Sequence, residues 1–147
     1  MRTLKFDTLD DAVAELKRLE RLKNVNTTGK WSFYQILNHC AESIEIPVIN
    51  PAQRAPWLLR RTIGRLIIKG VWKAGFMKPG IPNPSAPKKR EEGDVSLAFK
   101  RIYKAIDSMK KAEKFAEEHP FFGHMTHQEW ITLQRYHMAN HLGFVEG

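Results

Sequence analysis

The chain has 147 residues, the size of a single domain, and 42% of them are hydrophobic, so it can bury a core without cross-links. Its single cysteine, Cys40, excludes an intrachain disulfide and the small secreted folds that depend on disulfides. The net charge of +8 is local: residues 46–90 hold ten Lys or Arg and no acidic residue, leaving 14 of the 24 basic and all 16 acidic residues elsewhere.

The first two helices are predicted from their start signals. Thr8 is a suitable N-cap, and the apolar residues after it recur on one face, which predicts an amphipathic helix over 9–23. Ser32, with a glutamine three residues later, forms a capping box that predicts a second helix over 33–46. Pro47 lacks a backbone donor and is expected to kink or end that helix. No apolar run long enough for a signal sequence opens the chain, so a cytoplasmic location is expected.

The middle of the chain has a less regular pattern. Residues 57–73 predict an amphipathic helix that is broken by Gly64 and Gly70, and four prolines predict a loop over 78–94. Because this helical segment is too short to bury a core of its own, we expect it to cover part of the remaining protein. A single domain over residues 1–147 is therefore expected.

Two long helices are predicted in the C-terminal half. Apolar residues keep a helical period over 96–118, where Pro120 should stop the helix. Thr126, with a glutamate three residues later, forms a capping box for a last helix over 127–143. No alternating pattern predicts a strand and no internal repeat is present, so the fold class is all-α, with the helices forming a bundle.

Three histidines are the main candidates for chemistry. His137 and His141 are one helical turn apart on the apolar stripe of the last helix, whereas Gln134 is expected outside that stripe. His39 lies on the inner stripe of the second helix. Three imidazoles can hold one divalent ion, such as zinc, nickel or iron, and leave it an open coordination position at which a water or a thiol is activated.

An alternative interpretation is that His39, His137 and His141 are ordinary core histidines, each hydrogen-bonded to a neighbouring carbonyl group. Two other kinds of metal site fit the sequence less well than a site made of three histidines. A ferritin-like site needs Glu-x-x-His motifs and a zinc protease needs His-Glu-x-x-His, and the sequence contains neither.

The remaining candidate residues have weaker patterns. His119 and His124 belong to a connecting segment and His127 begins the last helix off the apolar stripe, so loop-ordering or solvent-facing roles are expected for all three. Cys40 is expected to be buried and unreactive. Glu42 lies one turn after the first candidate ligand and is compatible with orienting a ligand, binding metal or solvation.

Two segments carry a resemblance to a known family. They are GKWSFYQILNHCAESIE and HPFFGHMTHQEWITLQRYHMANHLGF, and together they resemble the DinB-like (DinB/YfiT-like) superfamily of four-helix metal-binding proteins. The sequence looks closest to a subfamily labelled as a domain of unknown function. The resemblance implies a four-helix bundle with His39, His137 and His141 as its metal ligands. Characterised relatives include metal-dependent transferases that use small thiols such as bacillithiol, and a mycothiol-dependent isomerase.

The basic segment, residues 54–90, interleaves apolar side chains with cations. One interpretation is a helical excursion between the second and third long helices that packs its apolar side on the bundle and leaves the cations in water. The others are a lid that attracts an anionic substrate, and a surface for an anionic membrane or a nucleic acid.

Two functions are therefore carried forward. The first is a divalent-metal-dependent enzyme, either a small-thiol-dependent transferase or a hydrolase, whose partner is a small-molecule substrate that is anionic or a low-molecular-weight thiol. The second is a non-catalytic bundle that binds a membrane surface, a nucleic acid or a protein through residues 54–90. The local character of the charge disfavours nucleic acid, whereas peripheral membrane contact and a homodimer remain compatible with the pattern.

Overall fold

The computed structural model describes residues 1–83 and 86–147, and helices dominate these two ranges. The helices are α1 (Leu9–Glu20), α2 (Phe33–Ile49), α3 (Trp57–Arg61), α4 (Ile63–Ala74), α5 (Val95–Lys111) and α6 (His127–Leu142). The expected helical fold class is thus confirmed. In the described ranges, no helix has both the length and the apolar character needed to cross a bilayer.

The expectation that no strand forms is wrong in detail. Four two-residue strands make two small antiparallel pairs. They are β1 (Asn26–Thr27) with β4 (Val145–Glu146), and β2 (Glu118–His119) with β3 (Gly123–His124). Such short strands carry no alternating pattern in the sequence. The pair of β1 and β4 joins opposite ends of the chain, whereas β2 and β3 pair across a short turn.

The predicted start signals of three helices are confirmed. The side chains of Thr8, Ser32 and Thr126 each accept a hydrogen bond from the backbone N–H three residues later, and the side chain at that position accepts one in return. Each capping box satisfies two backbone donors that the helix itself leaves without partners. The local sequence therefore determines where α1, α2 and α6 begin.

Four helices pack against one another around one apolar core. Helix α2 contacts α5 and α6, and α1 contacts the same two helices. The largest fully buried side chains come from all four of these helices and from α4: Leu16, Leu19, Ile36, Leu37, Ile44, Ile68, Ile102, Met109, Trp130, Leu133, Met138 and Leu142.

Pro47 lies inside α2, which continues to Ile49, so the expectation that this proline ends the helix is wrong, while the alternative of a kink stays a prediction. A proline cannot donate to the carbonyl of Ser43, one turn earlier. The side chain of Gln134, fully buried on α6, donates to that carbonyl instead (Nε2···O 3.1 Å), and the Ser43 hydroxyl donates to the Gln134 amide oxygen (3.0 Å). A partner from another helix thus satisfies the carbonyl that proline leaves free.

The excursion after α2 is helical, but its break lies at Thr62 and not at Gly64 or Gly70. A Cβ atom at Gly64 would lie 2.1 Å from the backbone oxygen of Phe121, so the glycine allows α4 to lie directly against that segment. Ile68 of α4 is fully buried. The excursion therefore covers part of the protein, as expected.

Helix α5 is shorter than predicted and ends at Lys111 instead of 118. Tertiary contacts hold the residues after the helix in a non-helical conformation: the Ala116 amide donates to the Pro47 carbonyl (2.8 Å), and Glu118 forms ion pairs with two arginines of the excursion. The predicted loop over 78–94 contains no helix before Val95 in its described residues. Residues 84 and 85 of that loop lie outside the described residues.

Candidate metal centre

Three imidazole rings from two helices meet at one point. His39 projects from α2, and His137 and His141 project from α6, with one potential ligand atom of each lying within 4.8 Å of the others. The Nε2 atoms of His39 and His137 are 3.0 Å apart, and the three ring centroids are 4.4 to 4.8 Å from one another. The structure thus brings together the three residues that the sequence analysis selected.

Two features of the helices position these rings. Within α6, a spacing of four residues places His137 and His141 on the same face. Between helices, the reciprocal hydrogen bonds of Ser43 and Gln134 lie one turn away, because Ser43 follows His39 by four residues and Gln134 precedes His137 by three. The polar pair therefore holds α2 and α6 in register beside the histidines.

Trp31 is a site residue that the sequence analysis did not select. Its ring stacks on His141 with centroids 5.2 Å apart and planes 6° apart, and its edge meets His39 at 4.9 Å. Its indole N–H donates to the carbonyl of Pro87 (3.2 Å), and pairing of β1 with β4 holds this part of the chain against the end of α6. The sequence feature that could have indicated Trp31 is its position directly before the N-cap of the helix that carries His39.

Burial keeps all three imidazoles neutral. It lowers the pKa of His39 from 6.5 to about 4 and that of His141 to about 3, with repulsion from His39 adding to the effect on His141. It also brings the pKa of His137 well below its ordinary range, and the neighbouring rings lower it further. At neutral pH each ring therefore retains a lone pair, which is the form that binds a metal ion.

The donor set fits a divalent ion. Two imidazole nitrogens that share an ion at about 2.0–2.1 Å lie roughly 3 to 3.4 Å apart, and the 3.0 Å between His39 and His137 agrees with this value. One feature differs from common metal sites: the Nδ1 atoms of His39 and His137 are buried without a hydrogen-bond partner in the described residues. Ring packing, and not a hydrogen bond from Nδ1 to an acceptor, therefore orients these two rings: His39 packs against Trp31, and His137 packs against His39 and His141.

A cavity of about 990 Å³ lies beside the histidines. Cations border it, but both arginines in its lining are ion-paired, because Arg101 of α5 pairs with Glu45 (2.7 Å) and Arg54 pairs with Glu118 (3.2 Å). Within the basic segment, Arg54 shares the Glu118 carboxylate with Arg60, so that carboxylate offsets only part of their combined charge. The part of the cavity wall that includes the three histidines and residues 119–122 contains Trp31, His39, His119, Phe121, Phe122, Leu133, His137 and His141.

The other candidate residues lie apart from the three histidines. His124 and His127 are exposed, and His127 stacks on Phe115 with centroids 3.9 Å apart. Cys40 is fully buried, which raises the pKa of its thiol to about 12, as expected for an unreactive cysteine. Glu42 is exposed at the border of the cavity and does not belong to the group of potential ligand atoms.

His119 has the loop-ordering role that was expected, and it also lines the cavity. Its Nδ1 accepts hydrogen bonds from the amides of Phe121 (3.0 Å) and Phe122 (3.2 Å). Its ring packs against Phe122 and Trp130, with centroids 4.5 and 5.1 Å away. The turn after β2 is therefore built around this imidazole.

The comparisons with known proteins reveal a family but no activity. A family model described as "Protein of unknown function (DUF1569)" matches residues 1–147. No curated protein and no solved structure matches the chain. The family match agrees with the expected similarity to a subfamily labelled as a domain of unknown function.

Proposed function

Because the chain belongs to the DUF1569 family of proteins of unknown function, we propose that this family includes divalent-metal-dependent enzymes and that the chain is one of them. The proposed scaffold is a DinB-like four-helix bundle made of α1, α2, α5 and α6. The observation that carries the proposal is the group of three neutral imidazoles within 4.8 Å in the wall of a cavity of about 990 Å³.

The chemistry of the donor set supports an open, reactive site. Three neutral ligands leave a divalent ion its full charge, and the ion then supplies Lewis acidity to an oxygen or sulfur of a bound ligand. Imidazoles suit zinc, nickel and iron. The buried thiol of Cys40 cannot serve as the nucleophile, so the attacking group comes from water or from an added small thiol. The reaction class is therefore a hydrolysis or a thiol-dependent transfer on a small molecule.

Metal analysis of two histidine variants tests the proposal. Purified protein loaded with zinc and then dialysed should retain about one ion per chain. His137→Ala should lose most of this metal, because only two imidazoles remain. His127→Ala, on the same helix but stacked on Phe115 away from the site, should retain it. Stoichiometric metal in His137→Ala would show that these histidines do not form the site.

A specific observation favours a second function, binding to an anionic membrane surface. Of the ten large apolar residues that are exposed in the described part of the chain, six lie within residues 57–76. Leu66 is the most exposed of all at 71%, and Trp57 is 59% exposed with the Arg61 guanidinium over its ring. Exposed apolar side chains beside cations are typical of helices that lie in the membrane interface.

Charge selects the membrane over a second copy of the chain. No acidic residue occurs between residues 46 and 90, so two copies meeting through this face would bring their cations together. Anionic lipid headgroups complement the exposed cations Arg61, Lys69 and Lys73, while the apolar side chains enter the acyl boundary.

Sedimentation with vesicles of phosphatidylserine and phosphatidylcholine tests this second function. The wild-type protein should bind at low salt and dissociate as salt rises. Leu66→Asp should weaken binding about tenfold or more, because one leucine contributes roughly 1.5–3 kcal/mol on burial. Leu97→Asp alters another exposed leucine, on α5 (59% exposed), and should have no effect. Equal binding by both variants, or binding to pure phosphatidylcholine, would exclude this surface.

A further inference from the structure

The hydrogen bonds of His119 determine which of its two nitrogens carries the proton. Nδ1 accepts from two backbone amides, so it must hold a lone pair. Burial also lowers the pKa of this imidazole to about 3, so the ring is neutral at pH 7. A neutral imidazole with a free Nδ1 lone pair carries its single proton on Nε2. His119 is therefore a hydrogen-bond donor with a defined tautomer.

We propose that His119 uses its Nε2–H to bind an oxygen atom of the ligand that occupies the cavity beside His39, His137 and His141. This inference rests on the proposed metal site, and it assigns the imidazole a binding role in addition to its role in the turn. The His119 ring lines the same cavity as the three histidines, and its Nε2 has no hydrogen-bond partner within residues 1–83 and 86–147. A donor in a cavity wall is satisfied when a ligand supplies the acceptor.

The donor narrows the class of substrate. An N–H group forms stronger hydrogen bonds with the oxygens of carboxylate and carbonyl groups than with sulfur, which is a weak acceptor. The ring of His119 is held by the two amides and by its packing against Phe122 and Trp130, so the donor direction is preorganised. The substrate should therefore present an oxygen acceptor, such as a carboxylate or carbonyl oxygen, to this ring, and the sulfur of a thiol partner should lie elsewhere in the cavity.

The tautomer can be measured without any ligand. Nitrogen-15 NMR of the metal-free protein should show the His119 proton on Nε2 and none on Nδ1, from pH 5 to pH 8. A proton on Nδ1 would overturn the proposal. In the zinc-loaded protein, added acetate should shift the Nε2–H resonance of His119, and an unchanged resonance at saturating acetate would also overturn it.

Two variants separate the binding role from the structural role. His119→Asn can place its amide oxygen near the Nδ1 position as an acceptor but has no donor that reaches the Nε2 position. His119→Gln can place its amide NH2 near the Nε2 position as a donor but has no acceptor at the Nδ1 position. Acetate is titrated into the cobalt-loaded proteins and followed by the visible absorption of the ion. His119→Asn should bind acetate about tenfold or more weakly, the typical loss for a hydrogen bond to a charged acceptor. His119→Gln should bind acetate within about twofold of wild type but unfold at lower urea concentration.

Metal binding is measured in the same samples, so the two proposals can fail separately. Cobalt bound at full stoichiometry, with equal acetate affinity in wild type and His119→Asn, would refute only the role of His119. Absence of cobalt binding by the wild-type protein would overturn the metal site and the inference that rests on it.

Discussion

Replacement of Gln134 by leucine removes the polar contact that joins α2 to α6. The leucine has a similar size, so the variant leaves little cavity and mainly deletes hydrogen bonds. The Ser43 hydroxyl and the Ser43 carbonyl both lose their partner on α6. The carbonyl has no alternative donor one turn later, because Pro47 lacks an N–H.

The expected loss of stability follows from these two groups. A buried polar group that loses its partner costs roughly 1–3 kcal/mol. Two such groups would cost roughly 2–6 kcal/mol, but Ser43 is only partly buried, so loss of the fully buried Gln134 amide should lower the free energy of unfolding by about 2–4 kcal/mol. For a protein of this size, that is a large part of a total of roughly 5–15 kcal/mol.

Urea unfolding of four variants measures the effect and its cause. Gln128→Leu makes the same chemical change at an exposed position of α6 and should cost less than about 0.5 kcal/mol. Pro47→Ala restores an amide that can donate to the Ser43 carbonyl. In the Pro47→Ala background, Gln134→Leu should therefore cost about 1 kcal/mol less than in the wild type.

Either of two results would contradict the stabilising role that we assign to the Gln134 amide. One is an equal cost for Gln134→Leu and Gln128→Leu, which would mean that the buried amide contributes no net stability. The other is an unchanged cost of Gln134→Leu in the Pro47→Ala background, which would mean that the amide does not replace the donor that proline lacks.

Three further predictions concern protonation, close packing and thiol burial. Burial lowers the pKa of His39 from 6.5 to about 4, so as the pH falls the unfolded chain takes up a proton at this residue before the folded chain does. The metal-free protein should therefore have its full stability above about pH 6.5 and lose stability as the pH falls towards 4. The urea midpoint as a function of pH measures this loss. Gly64→Ala should lower stability by about 1–3 kcal/mol, because its Cβ would meet a backbone oxygen at 2.1 Å. Gly70→Ala, with no atom within 4 Å of the new Cβ, should leave stability unchanged or raise it by up to about 1 kcal/mol. Cys40 should react with an aromatic disulfide reagent only as fast as the protein unfolds, and rapid reaction of the native protein would contradict its burial.

Features that depend on neighbouring residues were predictable from the sequence. The starts of α1, α2 and α6 were predicted correctly, α1 from its N-cap Thr8 and the other two from capping boxes, because these signals involve residues at most three positions apart. The common face of His137 and His141 was predictable for the same reason, since a spacing of four is one helical turn. The inner stripe of α2 also identified His39 as a partner, although the distance between the helices was not available from the pattern.

Features that depend on residues far apart in the chain could not be predicted from local sequence patterns. Helix α2 continues past Pro47 because Gln134, 91 residues after Ser43, supplies a donor, although the period of α6 had placed that glutamine outside the inner stripe. Helix α5 ends early because Ala116 is bound by α2 and Glu118, at the start of β2, is bound by the excursion. The 3.0 Å contact between His39 and His137 joins positions 98 residues apart. Local periodicity describes which face a side chain occupies, whereas the packing of whole helices determines what that face meets.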